Sequence, residues 1–145
     1  MEMSTKENEE LVSGICGRVR AADQKNAAVH DSHRLIYEID RLLTEVNSGG
    51  SFEQYFRWAS LDQITRIVSQ LEAVGLTEVA QITGEAISVA YPDGLPPISE
   101  AQDSLAHWDG SAEQSDSLIE LADRFIEYNG VITNKLADYA RQIGV

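Results

Sequence analysis

Hydrophobic residues recur at intervals of three and four along most of the chain. This is the period of an amphipathic α-helix, and no stretch alternates apolar and polar residues convincingly, as a half-buried strand would. We therefore predict an all-α fold, formed by a single compact domain over residues 1–145 with six to seven helices and short connections.

Capping residues and turn formers predict where these helices begin and end. A serine followed three residues later by Glu or Gln is a capping box, and the chain has Ser4 with Glu7, Ser51 with Gln54 and Ser60 with Gln63. Thr77 and Ser99 predict further starts, Gly75 a stop, and YPDGLPP at 91–97 a forced turn. The predicted helices are one carrying Leu11, Ile15 and Val19, then 29–46, a short aromatic helix after Ser51, 60–75, 77–90, 99–108 and 112–143, with a candidate break at Asn129-Gly130.

The last predicted helix has one apolar and one acidic face. At 100° per residue its large hydrophobic side chains form one stripe, which we expect to face the core: Leu118, Leu121, Phe125, Tyr128, Ile132, Leu136 and Tyr139. Its carboxylates fall on the opposite side, at Glu113, Asp116, Glu120, Asp123, Glu127 and Asp138. These carboxylates must face solvent or a partner. Helix 29–46 uses the same spacing, but its charges alternate in sign and neutralise one another.

The chain as a whole is strongly acidic. It has 24 Asp and Glu against 11 Lys and Arg, a net charge of -13. No Lys or Arg lies between Arg66 and Arg124, so negative charge is concentrated in the second half. Direct binding to nucleic acid or to an anionic membrane requires cations against phosphate, and we do not expect it. The acidity favours a basic protein as partner.

The sequence has no feature typical of export or membrane insertion. No run approaches the roughly 20 apolar residues of a membrane span, and the start MEMSTKENEE is acidic where a signal peptide is basic and then apolar. We expect a cytoplasmic protein. Its single cysteine, Cys16, excludes an internal disulfide and is expected as a small buried hydrophobe.

Residues for catalysis or cofactor binding are sparse. His30 and His33 stand at a helix start, but no other Cys or His lies near in sequence to complete a metal site. His107 has no identifiable nucleophile or orienting partner. A phosphate loop needs Lys and Ser or Thr after its glycines, where this chain has Phe52 and Glu53. We expect a protein that is not an enzyme and binds no cofactor or metal.

The stretch NSGGSFEQYFRW at 47–58 predicts a structural corner. Asn47, Gly49 and Gly50 tolerate the left-handed dihedrals that end a helix, and Ser51 begins the next one. The aromatic residues at helical spacing, Tyr55, Phe56 and Trp58, are expected in the core.

The corner also carries a family resemblance. EVNSGGSFEQYF at 45–56 resembles the signature E-(V)-N-N-G-G-F-x-Q-(Y/F)-F of a bacterial family of small helical domains whose best-known member is an acidic, dimeric DNA-mimic protein. The matching residues are Asn47, Gly49, Gly50, Phe52, Gln54, Tyr55 and Phe56. Ser48 replaces the second Asn, and Ser51 is an extra residue after the glycines.

The resemblance implies a family core over residues 29–145, with 1–28 as an N-terminal helical arm, and a homodimer as one oligomeric state. It also implies a regulatory protein that occupies the basic DNA-binding surface of a protein such as a transcriptional repressor. We predict that the partner contacts Glu113, Asp116, Glu120, Asp123 and Glu127, with Glu100, Asp103 and Asp109 as a flank.

The charge density of one helix limits this hypothesis. Glu113 to Glu127 spans about 21 Å, or one charge per roughly 5 Å, whereas one DNA strand carries a phosphate every ~3.4 Å. Mimicry therefore needs the flanking acids or a second subunit. The alternative is an immunity or antitoxin protein that neutralises a toxin such as a nuclease, which an acidic surface also suits.

Overall fold

The computed structural model describes residues 5–95 and 108–144. Within these ranges the chain forms seven α-helices and no strand, which confirms the all-α fold. The helices are α1 (Thr5–Gln24), α2 (Asp31–Gly49), α3 (Glu53–Trp58), α4 (Leu61–Ala73), α5 (Thr77–Ala90), α6 (Ala112–Ile126) and α7 (Asn129–Gln142). None of these helices is long and apolar enough to cross a membrane. The helix predicted at 99–108 lies, except for Trp108, outside the described residues.

Helix α2 is the centre of the fold. It contacts α1, α3, α4, α6 and α7, while α5 packs between α4 and α6. The apolar face predicted for α2 is buried at Ile36, Ile39, Leu42 and Val46. Helix α1 packs against α2 and α7, and its buried residues join the same core.

A buried ionic group joins α2 to α4. Glu38 is only 2% exposed. Its carboxylate accepts a hydrogen bond from Arg66 Nε at 2.7 Å and another from the Gln70 amide at 3.0 Å. The hydrogen bond to Glu38 raises the pKa of Arg66 above its ordinary value. Because burial of an unpaired carboxylate is costly, the donor groups of Arg66 and Gln70 make the α2–α4 contact dependent on one geometry.

The corner after α2 is structural, as predicted, but only one residue in it is left-handed. Gly50 has φ +65° and donates its N–H to Val46 O at 2.9 Å, which ends the helix. Asn47 and Gly49 stay helical, so the left-handed dihedrals expected there are wrong. The Asn47 side chain instead exchanges two amide hydrogen bonds with Asn129, at 3.1 and 2.6 Å, and so ties the corner to α7.

The capping predictions succeed at one serine and fail at another. Ser60 and Gln63 form the expected box, with reciprocal bonds of 3.1 and 3.2 Å. Ser51 instead accepts from the Glu53 N–H at 3.2 Å, and the Gln54 amide donates to Glu45 at 2.6 Å. Helix α3 begins at Glu53, one residue later than a box at Ser51 requires, and the N-cap residue Phe52 has no side-chain oxygen to accept a capping bond.

One other start departs from the prediction, and one is not tested. Thr77 is the first residue of α5 rather than its cap, and Leu76, which precedes it, makes no side-chain capping bond. Ser4 lies outside the described residues.

The aromatic residues of the corner divide between core and surface. Phe52, Tyr55 and Phe56 are at most 2% exposed, and the Phe52 ring meets Phe125 of α6 edge-on at 5.4 Å. Trp58 is 60% exposed, so the expectation that it lies in the core is wrong. It is the last residue of the six-residue helix α3, and one short helix cannot turn all its aromatics inward.

The last predicted helix is two helices. α6 ends at Ile126 and α7 begins at Asn129, so the break precedes Asn129-Gly130 and falls at Glu127 and Tyr128. The predicted apolar stripe spans both helices: Leu118, Leu121, Phe125, Ile132 and Leu136 are buried, and Tyr128 and Tyr139 are partly buried. Asp138 therefore belongs to α7, where it pairs with Arg141 at 3.5 Å.

Candidate functional site

Helix α6 is fixed at its N-terminus by hydrogen bonds that its sequence supplies. Ser111 and Gln114 form a capping box with bonds of 2.8 and 3.2 Å. The Gln114 amide also donates to Val89 O at 2.9 Å, and the Trp108 indole N–H donates to Ala90 O at 2.9 Å. The start of α6 is thus held against the end of α5.

The exposed side of α6 is a row of carboxylates, which we call the acidic stripe: Glu113, Asp116, Glu120, Asp123 and Glu127. All are exposed, as predicted, and the opposite side of the helix is buried in the core. Glu127 is the residue that follows the last turn of the helix. None of them takes part in an ion pair within residues 5–95 and 108–144.

The cation nearest in sequence to these carboxylates forms an ion pair with a residue of another helix. Arg124 of α6 pairs with Glu85 of α5 at 2.9 Å, and both side chains are 55% exposed. Its guanidinium is therefore directed across to α5. The acidic stripe keeps its charge uncompensated by the part of the protein that the structure describes.

Of the predicted flank, the structure describes one member. Asp109 is exposed and lies two residues before Ser111, the N-cap of α6. Glu100 and Asp103 lie outside the described residues, so their distance from the acidic stripe stays a prediction.

A groove with a volume of about 650 Å³ runs between α5 and α6 beside the acidic stripe. Gly84, Glu85, Ser88 and Val89 line it from α5, and Ser117, Glu120, Leu121 and Arg124 from α6. Sequence reasoning missed the groove because it requires knowing that α5 and α6 are neighbours. The sequence feature that could have indicated the groove is a pair of small residues one helical turn apart in α5, Gly84 and Ser88.

The His30 and Cys16 side chains take part in hydrogen bonds within the fold. The His30 side chain accepts from the Ser32 N–H at 3.2 Å and caps α2. In the described ranges, no three His, Cys, Asp or Glu side chains are grouped to hold a metal ion. The Cys16 thiol is buried and bonds to Asp40 at 3.5 Å, and burial raises its pKa to about 12. It therefore stays protonated at neutral pH. His107 lies outside the described residues.

Comparison with known proteins identifies a family. A family model described as "DMP19-like protein" matches residues 27–143, most of the chain. No curated protein and no solved structure matches the sequence significantly.

Proposed function

Because the chain belongs to the DMP19-like protein family, a family of DNA mimics, we propose that it acts as a DNA mimic. It is a non-enzymatic protein whose carboxylates bind the basic DNA-binding surface of a protein partner and regulate that partner by keeping it from DNA. In this proposal the partner contacts the acidic stripe and the predicted flank of Asp109, Glu100 and Asp103.

The observation that carries this proposal is the row of uncompensated carboxylates on α6. On other helices three acids have cationic partners: Asp23 binds Arg34, Glu53 binds Arg57, and Glu85 binds Arg124. A row of like charges without counter-ions destabilises a helix slightly, and a basic partner removes that cost on binding. Charge of this kind also steers a basic protein to the surface before contact.

A single α6 remains sparser in charge than DNA, as its sequence predicts. The proposal therefore includes the flank before α6 and a homodimer, which presents two acidic stripes. The partner reads this surface as it reads phosphates, through Lys and Arg side chains.

The test is an affinity capture from native lysate, eluted with rising salt and challenged with duplex DNA. We expect a basic DNA-binding protein to be retained, to elute early in the salt gradient and to be displaced by DNA. If no basic protein is retained, or if DNA does not displace it, the proposal fails.

A charge-reversal variant assigns the surface. Asp116, Glu120 and Asp123 are changed to Lys, which should abolish capture while far-UV circular dichroism keeps its helical amplitude. The matched control reverses Glu9, Glu10 and Glu72, which are exposed on α1 and α4. Each triple reversal moves the net charge from -13 to -7, because every change adds two charges. Equal loss in both variants would mean that only total charge matters and that the acidic stripe is not the contact.

A further inference from the structure

The walls of the groove between α5 and α6 are apolar, and carboxylates stand at its edge. Val89 and Leu121 provide the walls, and Glu120, a member of the acidic stripe, lines the opening from α6. The ion pair between Arg124 and Glu85 lies on the same groove. An occupant must therefore combine an apolar body with a positive end.

One of the residues that line the groove is a glycine that packing does not require. Gly84 lies in the interior of α5, where glycine is less favourable than alanine. A Cβ atom built there would meet no atom within 4 Å, and its φ is not in the left-handed region. Neither crowding nor backbone geometry explains this glycine. What it does is leave the wall of the groove open.

We propose that the groove receives one Lys or Arg side chain from the basic surface of the partner. The methylene stem lies between Val89 and Leu121, and the cationic head reaches Glu120. Long cationic side chains bury such stems on apolar surface while their charge stays in a polar environment. This inference rests on the proposed function and adds to it a pocket that selects for side-chain length as well as charge.

The direct test uses two peptide probes of equal charge and unequal stem length. One is hexa-arginine, and the other is a hexamer of 2-amino-3-guanidinopropionate, whose guanidinium is carried on a single methylene. We expect hexa-arginine to bind about fourfold more tightly, the effect of roughly one additional buried methylene. In a ¹⁵N correlation spectrum the Gly84 amide should shift with hexa-arginine. Equal affinities, or an unmoved Gly84 signal, would overturn the proposal.

Two variants at one position separate the groove from the charges. Gly84→Leu fills the groove and leaves the net charge unchanged, so it should reduce hexa-arginine binding to the level of the short-stem peptide. Gly84→Ala is the matched control and should keep the selectivity. If Gly84→Leu does not fold by circular dichroism, Ser88→Leu fills the same wall from an exposed position. Full selectivity in a folded, filled variant would refute the assignment.

The outcome is distinguishable from that of the proposed function. If Gly84→Leu captures the DNA-displaceable partner at an unchanged salt concentration, the groove assignment fails and DNA mimicry stands. If the lysate yields no partner while the two peptides still differ, mimicry fails, and the part of the groove assignment that stands is that the groove accepts a long cationic side chain. If filling the groove converts a dimer to a monomer in sedimentation, a second copy of the chain occupies it, and the proposal of a cationic side chain is overturned.

Discussion

The acidic stripe should cost the free protein stability, and two isosteric changes should recover it. Four pairs of like charge stand three or four residues apart along α6: 113/116, 116/120, 120/123 and 123/127. Asp116 takes part in two of these pairs and Asp123 in the other two. The double variant Asp116→Asn, Asp123→Asn therefore removes all four while it leaves three carboxylates in place.

The expected gain follows from the spacing. Like-charge pairs at these intervals cost about 0.2–0.5 kcal/mol each, so four pairs give roughly 1–2 kcal/mol in the free energy of unfolding at low salt. Coulomb's law agrees in size, since two charges ~6 Å apart in water repel by roughly 0.7 kcal/mol before salt screening. Arg124 offsets little of this repulsion because Glu85 holds its guanidinium. Asp and Asn have similar helix propensity, so a difference in propensity does not contribute to the change in the free energy of unfolding.

The assay is urea denaturation followed by circular dichroism, at low salt and again at about 1 M salt, where the Debye length falls to ~3 Å. The control is Asp138→Asn on α7, an exposed aspartate that pairs with Arg141. We expect the double variant to be more stable at low salt and nearly equal to the wild type at high salt. The control should show no gain. A double variant that is no more stable at low salt would refute the statement that these charges repel uncompensated.

Three further predictions concern buried and exposed side chains outside α6. Arg66→Ala should lower the free energy of unfolding, measured in urea, by about 2 kcal/mol. The reason is that the Glu38 carboxylate stays buried in the variant but no longer has a cationic partner. Cys16 should resist Ellman's reagent at pH 8 until urea is added. The pKa of the Cys16 thiol is 9.0 in the unfolded chain and about 12 in the folded protein. The free energy of unfolding should therefore be unaffected by this thiol below pH 9 and should decrease as the pH rises from 9 toward 12. Trp58→Phe should shift tryptophan emission to the blue and reduce acrylamide quenching, since Trp108, 6% exposed, then remains.

Local sequence patterns predicted the elements of the fold that depend on near neighbours. The box of Ser60 and Gln63 and the apolar stripe across α6 and α7 follow from spacings of three and four residues, and both are confirmed. The exposure of the five carboxylates follows from the same periodicity. Their role toward a partner is a separate matter, which the family and the charge support and the proposed experiments test.

Contacts between distant residues could not be predicted in the same way. Asn47 and Asn129 are 82 residues apart, and their mutual side-chain bonds join α2 to α7. The pairing of Arg124 with Glu85 and the groove beside it depend on which helices are neighbours. Neither follows from periodicity along one helix.

The hydrogen bonds before α6 have a consequence for re-engineering the chain. Trp108 is bonded to Ala90 O through its indole and to Phe56 O through its backbone N–H, at 2.9 and 3.4 Å. The connection that leaves α5 therefore returns to its starting point, and the closure entropy of extra sequence there grows only slowly with length. A circular permutant with new termini in this connection, or a fluorescent reporter inserted into it, should leave the packing of α5 on α6 undisturbed.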